Sequence, residues 1–159
     1  MGKKPEKTNV MRILDRARIA YNSYDYSATA ALSGTQVAAA LGKDPARTFK
    51  TLVTQSASKA YYVFMVPVAE ELDLKKAARA AGEKSISMLK SKELLPLTGY
   101  IHGGCSPIGM KKQFRTFIHQ TAADFDAILF SAGKIGYQVE LTLSGLQQVV
   151  PVEPADIIV

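Results

Sequence analysis

The sequence predicts a single α+β domain, in which helices surround a mixed, mostly antiparallel and curved sheet. The chain of 159 residues is long enough for one hydrophobic core and too short for two ordinary domains. Segments rich in β-branched and aromatic residues alternate with segments of helical spacing, but no regular strand–helix–strand repeat runs along the chain. We expect a basic tail over residues 1–7 and the folded domain over 8–159.

The first third of the chain predicts helices that begin and end at recognisable residues. Thr8 has an N-cap side chain and precedes apolar residues at helical spacing. Gly42 stands where a left-handed residue closes a helix, and Asp44 with Pro45 suits the start of a turn. In order, we expect a helix over 8–19, a strand over 20–26, a helix over 35–42 and a turn over 43–48.

The middle third predicts a β-hairpin followed by a helix. Two β-branched and aromatic runs flank the polar segment SASK, while Asp73 and Gly82 bracket a helix as N-cap and closing residue. Pro96 is expected to break the next helical segment, because proline lacks the N–H group that a helix interior needs. The expected elements are strands over 49–55 and 60–67, a helix over 72–82, a strand over 85–89 and a broken helical turn over 91–99.

The last third predicts short strands and one helix that begins near Thr142. Its apolar runs are only four to seven residues long, a length typical of strands. The expected elements are strands over 116–119 and 127–133, a connector over 121–126, a strand over 138–141, a helix over 142–150 and a last strand over 154–159.

Basic side chains concentrate in the first three quarters of the chain. Residues 1–120 hold 19 of the 20 Lys and Arg side chains, whereas residues 121–159 hold one basic and five acidic side chains. Such an asymmetry suits a partner with a phosphate backbone, although ordinary surface solvation accounts for it as well.

The composition also bears on location and cofactors. No apolar run approaches the ~20 residues of a membrane span, and no apolar stretch follows the basic start as in a signal peptide. We therefore expect a cytoplasmic protein without membrane attachment. One cysteine forms no internal disulfide, and two scattered histidines make a zinc site improbable, so neither a metal nor an organic cofactor is expected.

The segment YIHGGCSPIGMKK, residues 100–112, is the first candidate for chemistry. A nucleophilic Cys105 would need a base, but His102 lies three residues away and is expected to be a strand residue facing the other way. Gly103 and Gly104 allow backbone conformations closed to other residues, and such a loop can aim N–H groups at a carbonyl or phosphate oxygen. The sequence therefore argues against Cys105 as a nucleophile. Two interpretations of the loop stay open: an anion-binding loop and a plain turn.

Two further features extend this pattern. In SAGKIG, residues 131–136, Ser131 is expected at a strand end, where its hydroxyl meets a ligand or bonds a turn amide. The spacing of a P-loop is absent. Lys50 shares a strand face with Leu52 and either extends to solvent or points into a pocket as a fixed cation.

Four segments in register resemble the YbaK-type aminoacyl-tRNA deacylases, free-standing relatives of the editing domain inserted in bacterial prolyl-tRNA synthetases. The segments are FKTLV at 49–53, VPVAEELDLKKAARAAG at 66–82, GYIHGGCSPIGMKK at 99–112 and ILFSAGKIGYQVEL at 128–141. The resemblance covers about residues 8–158 and implies the α+β fold of that family. The glycine-rich segment resembles the branch that clears Cys-tRNA(Pro) more than the alanine-specific branch.

The resemblance implies roles for individual residues. Lys50 would contact the terminal adenosine or the ester end of the tRNA, Gly103 and Gly104 would hold the aminoacyl carbonyl, and Cys105 would be incidental. Gln138 stands where close relatives have aspartate, and an amide cannot carry a negative charge or act as a base. The implied catalytic residues are Lys50, Gly103, Gly104 and Ser131, and the implied substrate-binding residues are Tyr26, Ser106, Pro107, Gly133 and Gln138.

The implied activity is trans-editing, the hydrolysis of mischarged Cys-tRNA(Pro), with tRNA as partner and prolyl-tRNA synthetase as a further candidate partner. A synthetase pocket gains only ~1–3 kcal/mol of discrimination between amino acids that differ by about one methylene group. A second site must therefore remove small non-cognate amino acids from the tRNA. The attacking group is the substrate's own thiol or a bound water. Two alternatives stay open: a non-catalytic module that binds tRNA or a synthetase, and an editor of Ala-tRNA or another small aminoacyl-tRNA.

Overall fold

The computed structural model describes residues 7–159, so all but the last residue of the predicted tail over 1–7 lies outside the described residues. Helices and strands alternate irregularly, as the sequence predicts. The helices are α1 Asn9–Arg16, α2 Gly34–Leu41, α3 Leu74–Ala81, α4 Ser91–Thr98 and α5 Leu143–Val149. The strands are β1 Asn22–Asp25, β2 Phe49–Ser56, β3 Tyr61–Pro67, β4 Ile86–Met88, β5 Arg115–His119, β6 Ile128–Ser131, β7 Tyr137–Leu141 and β8 Val152–Ala155.

Within residues 7–159 the strands form two sheets. The larger has the order β4-β2-β3-β5-β8, and the smaller has the order β1-β7-β6. Four pairings are antiparallel, including the predicted hairpin of β2 with β3, and β5 pairs in parallel with β3 and β8. A single bridge between Thr48 and Leu129 joins the sheets. The predicted α+β class with mostly antiparallel strands is confirmed, and the strands divide between two sheets.

Local capping chemistry sets most helix ends where the sequence predicts them. The hydroxyl of Thr8 accepts the N–H of Met11, and the carboxylate of Asp73 accepts the N–H groups of the first turn of α3. Gly42 and Gly82 close their helices in the left-handed region, at φ 65° and 73°. These ends depend on contacts within a few residues, which a sequence reveals.

The predicted end of the first helix at residue 19 is wrong, because α1 ends at Arg16. Arg18 takes a left-handed conformation at φ 58°. Its N–H donates to Asp15 O, and the N–H of Ile19 donates to Leu14 O. This pattern is a Schellman motif, in which Ile19 packs into the same core cluster as Leu14.

Further boundaries also differ from the predictions. Pro96 does not break α4, which continues to Thr98: Thr98 Oγ1 donates to Leu94 O at 2.7 Å, and Gly99 N–H donates to Leu95 O at 2.8 Å. The last strand spans Val152–Ala155 rather than 154–159, since it pairs with β5 only over these residues. α2 begins one residue earlier than expected, because Ser33 and Gln36 form a capping box.

The largest core cluster lies between the two sheets. It joins Leu14 of α1 and Phe49 of β2 to Phe130 of β6, all at most 2% exposed. A second cluster packs α3 on the larger sheet, where the rings of Phe64 and Phe117 stack at 5.3 Å. Packing on these cores holds the ends of β2, β6 and β7 in fixed positions, and these ends build the site described next.

Candidate functional site

A cavity of about 350 Å³ opens where the start of β2 meets the end of β6 and the start of β7. The N-terminus of α2 and the loop over 102–105 complete its walls. Five residues singled out from the sequence come together here although up to 112 positions separate them: Tyr26, Lys50, Gly103, Ser131 and Gln138.

Among the described residues that line this cavity, Lys50 is the only Lys, Arg, Asp or Glu. It is half-buried on β2, opposite Val66 of β3, and it forms no ion pair with any residue from 7 to 159. Its place in the lining of the cavity favours the orientation towards a pocket among the two that the sequence leaves open. A cation without a counter-charge, partly shielded from water, attracts an anionic ligand.

The two glycine-rich loops contact each other, and one residue of each loop, Gly103 and Ser131, lines the cavity together with Lys50. Gly103 has φ +87°, and a Cβ on it would lie 3.7 Å from the side chain of Ile135. A Cβ on Gly104 would lie 3.2 Å from the backbone nitrogen of Ile135. Gly104 therefore fits between the loops because it lacks a side chain, and it supports the cavity wall rather than lining it.

Ser131 and Gln138 face each other across the β6–β7 pairing. The hydroxyl of Ser131 accepts the N–H of Gly133 at 3.1 Å. The sequence allows this hydroxyl either to meet a ligand or to bond a turn amide, and this hydrogen bond is the second of these. Gln138 is 7% exposed, and its Oε1 has no hydrogen-bond partner in the described part of the chain. Thr51 Oγ1 on β2 lacks a partner among the same residues. A buried polar atom without a partner is costly, so these two atoms beside the cavity favour a ligand that brings hydrogen-bonding groups.

Three residues that the resemblance assigns to substrate binding do not line the cavity: Ser106, Pro107 and Gly133. Ser106 is fully buried, and its hydroxyl accepts the N–H of Ile108 at 3.4 Å. A Cβ on Gly133 would lie 3.0 Å from both Tyr100 and Val10, on the core side of its loop. Their positions fit a supporting role, in which they fix the paths of the two loops.

Cys105 and His102 both line the cavity. Burial raises the pKa of the Cys105 thiol to about 12, so the thiol stays protonated near neutral pH and is a poor nucleophile. His102 lies in an exposed turn and not in the strand that the sequence predicts, because the glycines that follow it turn the chain. Cys105 is therefore a poor candidate for the attacking group.

Sequence reasoning missed the contribution of α2 and the loop before it. Leu32, Ser33, Gly34 and Thr35 line the cavity beside Tyr26. A signal for this helix start existed, because Ser33 and Gln36 have the spacing of a capping box. The approach of Gly34 to the end of β3 had no sequence signal: a Cβ on Gly34 would lie 2.5 Å from Val68.

A buried carboxylate fixes the strand that carries Gln138. Glu140 accepts hydrogen bonds from Asn22, Tyr24 and Arg47. Burial acts to raise the pKa of Glu140, but the hydrogen bonds from Asn22, Arg47 and Tyr24 outweigh it and lower this pKa to about 2. The charged network ties β1, β7 and the turn before β2 together, and so holds two walls of the cavity in register.

Residues 7–159 contain no group of three or more His, Cys, Asp or Glu side chains placed to hold a metal ion. Over the same residues, no helix has both the length and the apolar character needed to cross a bilayer.

The sequence and the fold match known proteins. Residues 29–149 match the family model of the aminoacyl-tRNA editing domain. A protein of Enterococcus faecalis (strain ATCC 700802 / V583), named for an inferred Cys-tRNA(Pro)/Cys-tRNA(Cys) deacylase activity (EbsC), is 46% identical over 140 residues, which are 87% of this chain and 85% of that protein.

Two solved structures share the fold. The hypothetical protein APE2540 has a TM-score of 0.86 at 17% identity, over 96% of this chain and 100% of that chain. A structure described as a proposed trans-editing enzyme for prolyl-tRNA synthetase has a TM-score of 0.80 at 20% identity, over 94% of this chain and 92% of that chain. Because the family model covers most of the chain and the Enterococcus relative is 46% identical over 87% of it, this chain belongs to the aminoacyl-tRNA editing domain family.

Proposed function

We propose that the protein is a trans-editing deacylase that hydrolyses the ester bond of mischarged Cys-tRNA(Pro) in the cytoplasm. The single observation that carries the proposal is the cavity that Lys50, which has no ion pair within residues 7–159, lines together with Gly103 and Ser131 of the two glycine-rich loops. Membership of the editing family supports hydrolysis of an aminoacyl-tRNA, and the name of the Enterococcus relative supports cysteine as the amino acid.

The reaction proceeds by positioning and polarisation. Lys50 holds the anionic end of the RNA, and a backbone N–H of the loop at Gly103 donates to the carbonyl oxygen as negative charge develops on it. An aminoacyl ester is intrinsically labile, so oriented donors suffice for a large acceleration. One such donor contributes roughly 3 kcal/mol at other acyl-transfer sites.

The substrate supplies the nucleophile. Its own thiol attacks the ester carbonyl, an S–C bond forms, the C–O bond to the ribose breaks, and the thiol proton passes to the leaving ribose oxygen. The cyclic thioester then takes up water and opens to cysteine. This route agrees with the raised pKa of Cys105 and with a lining in which the described residues include no Asp or Glu.

A deacylation panel on Cys-, Ser- and Ala-tRNA(Pro) tests the proposal. The thiol route predicts rapid release of cysteine and slow release of serine, since serine has nearly the same size and a much poorer nucleophile. Equal rates on all three substrates would favour a water nucleophile and an editor of small amino acids in general. No hydrolysis of any of the three would favour a module that only binds charged tRNA.

The description of the structural neighbour supports a further part of the proposal, that the deacylase works beside prolyl-tRNA synthetase. Adding the synthetase should then raise the deacylation rate at tRNA concentrations below KM. A rate that does not respond to the synthetase would limit the partner to tRNA alone.

A further inference from the structure

Two hollows lie side by side, apart from the cavity that Lys50 lines. The first, of about 320 Å³, lies between the turn before β2, the turn after β3 and the short helical turn Gln120–Asp124. The second, of about 440 Å³, shares with it the wall formed by Asp124 and Phe125. None of the described residues that line either hollow also lines the cavity at Lys50. We call the two hollows together the acidic groove, after the carboxylates of Asp44, Glu70, Asp124 and Asp126.

The acidic groove carries negative charge that the protein leaves without a counter-charge. The four carboxylates form no ion pair with any residue from 7 to 159. Among the described residues of the lining, Arg47 is the only Lys or Arg, and its guanidinium pairs with Glu140 at 2.8 Å. Burial lowers the pKa of His119, so this ring of the lining is neutral near pH 7. In a chain with a net charge of +6, the groove is therefore a local region of opposite sign that attracts a cation.

The walls of the acidic groove restrict which cation fits. Within residues 7–159 no three His, Cys, Asp or Glu side chains are placed to hold a metal ion, so the four carboxylates do not converge on one point. The walls also contain the apolar side chains of Pro45, Pro67, Phe125 and Ile158. The hydroxyl oxygen of Thr121, in the wall of the first hollow, has no hydrogen-bond partner in the described part of the chain. Separated carboxylates beside apolar walls fit an elongated cation whose charges are spaced by methylene groups.

We propose that the acidic groove binds a linear aliphatic polyamine, whose ammonium groups pair with carboxylates of both hollows and whose methylene segments lie against the apolar walls. Asp124 and Phe125, which belong to both hollows, contact the middle of the ligand. The hydroxyl of Thr121 accepts a hydrogen bond from one ammonium group. This site is separate from the cavity at Lys50, so the proposal goes beyond the deacylase function and does not depend on it.

The test measures binding to the RNA-free protein by titration calorimetry at pH 7 and constant ionic strength. The probes are spermidine and hexaamminecobalt(III), which carry the same positive charge but differ in shape and in apolar area. We expect spermidine to bind with a Kd of roughly 0.1–1 mM, from a few partly exposed charge pairs and some buried methylene groups. The cobalt complex should bind at least about tenfold more weakly, because it has no methylene groups to bury.

Two variants and a matched control locate the ligand. Asp124→Asn should weaken spermidine binding about fivefold, whereas Glu71→Gln should stay within about twofold of the wild type. Glu71 is an exposed residue beside Glu70 that carries the same charge and lines neither hollow. Thr121→Val should weaken binding about threefold, through the loss of one hydrogen bond. Its thermal unfolding temperature should be unchanged or higher, since the substitution removes a buried polar atom without a partner.

The outcomes distinguish this proposal from simple charge attraction and from the deacylase function. Equal binding of spermidine and the cobalt complex, or an equal loss in Glu71→Gln and Asp124→Asn, would show that only net charge matters and would overturn the proposal. A lysine tripeptide that binds more tightly than spermidine would make the groove a site for a protein segment and contradict the polyamine. Lys50→Ala should leave spermidine binding unchanged, and a loss there would place the ligand in the other cavity. Deacylation assays that fail would leave all of these measurements unaffected.

Discussion

Lys50 is the residue on which the proposed chemistry depends most directly, because no other Lys, Arg, Asp or Glu of residues 7–159 lines the cavity. We predict that Lys50→Ala lowers kcat/KM for Cys-tRNA(Pro) about a hundredfold, the effect of losing one charge-assisted contact in the transition state. Lys50→Arg should recover part of the activity. Lys75→Ala, at an exposed lysine of α3, is the control and should leave turnover unchanged. Wild-type turnover in Lys50→Ala would exclude the role given to this ammonium group.

Gly103 offers a second test at the same scale, with a control built into the chain. Gly103 and Gly42 both have positive φ, +87° and +65°, but a Cβ added to Gly42, at the end of α2, would meet no atom within 4 Å. Alanine at either position should lower the free energy of unfolding by about 1–2 kcal/mol, because the left-handed conformation is strained for L-residues. Only Gly103→Ala should also lower kcat, by at least about tenfold. The strained loop would move the N–H groups that bind the substrate carbonyl in the proposed reaction.

The comparison needs two measurements, urea unfolding and deacylation rate, on both variants. If Gly42→Ala loses as much activity as Gly103→Ala, general destabilisation explains both, and the loop has no special part in binding the carbonyl.

At the scale of elements, the network around Glu140 links stability to pH. The pKa of Glu140 in the folded protein is about 2, below its usual value of 4.5, because three hydrogen-bond donors overcome the cost of burial. A depressed folded-state pKa gives stability that is present above pH 4.5 and is lost as pH falls towards 2. We predict that Glu140→Gln costs about 2–3 kcal/mol at pH 7 and that this difference shrinks as the pH falls from about 5 to about 2.

Urea unfolding at several pH values measures this difference, and Glu153→Gln is the control. Glu153 pairs with Arg115 at the surface, where both side chains are 49% exposed, so its removal should cost less than about 1 kcal/mol. A difference for Glu140→Gln that does not change with pH would mean that packing rather than charge holds β7 to its neighbours.

The elements also show where local patterns stop predicting structure. The N-caps at Thr8 and Asp73 and the left-handed glycines follow from short-range chemistry, and the structure confirms them. The predicted end of α1 and the predicted break of α4 at Pro96 are wrong. Packing against the core and hydrogen bonds of the last turn, rather than residue type alone, determine where these two helices end. Burial of Ile19 favours the early end of α1, and the donors at Thr98 and Gly99 satisfy carbonyls of the last turn of α4.

At the scale of the whole molecule, the uneven charge distribution predicts salt-dependent binding of RNA. The chain has a net charge of +6, with nearly all of its basic side chains in the first 120 residues. If the protein contacts several phosphates of the tRNA, its Kd should rise with salt concentration. A plot of log Kd against log salt concentration should then have a slope of about 0.7 for each contact with a single-stranded phosphate. Binding that does not respond to salt would contradict a phosphate-bearing partner and favour a small molecule or a protein.

The sequence by itself determined the fold class, the hairpin, most helix starts, the two glycine-rich loops and the family to which their residues point. These features depend on residue type and on neighbours close in the chain, so a single sequence reveals them. Only the tertiary structure decided which loop residues face the cavity. It brought Gly103 and Lys50 to one hollow and left Ser106 and Gly133 on the core side, and it added α2 with Leu32 to the entrance. The physical reason is that the direction of a loop side chain depends on the elements packed against the loop, which lie far away in the sequence.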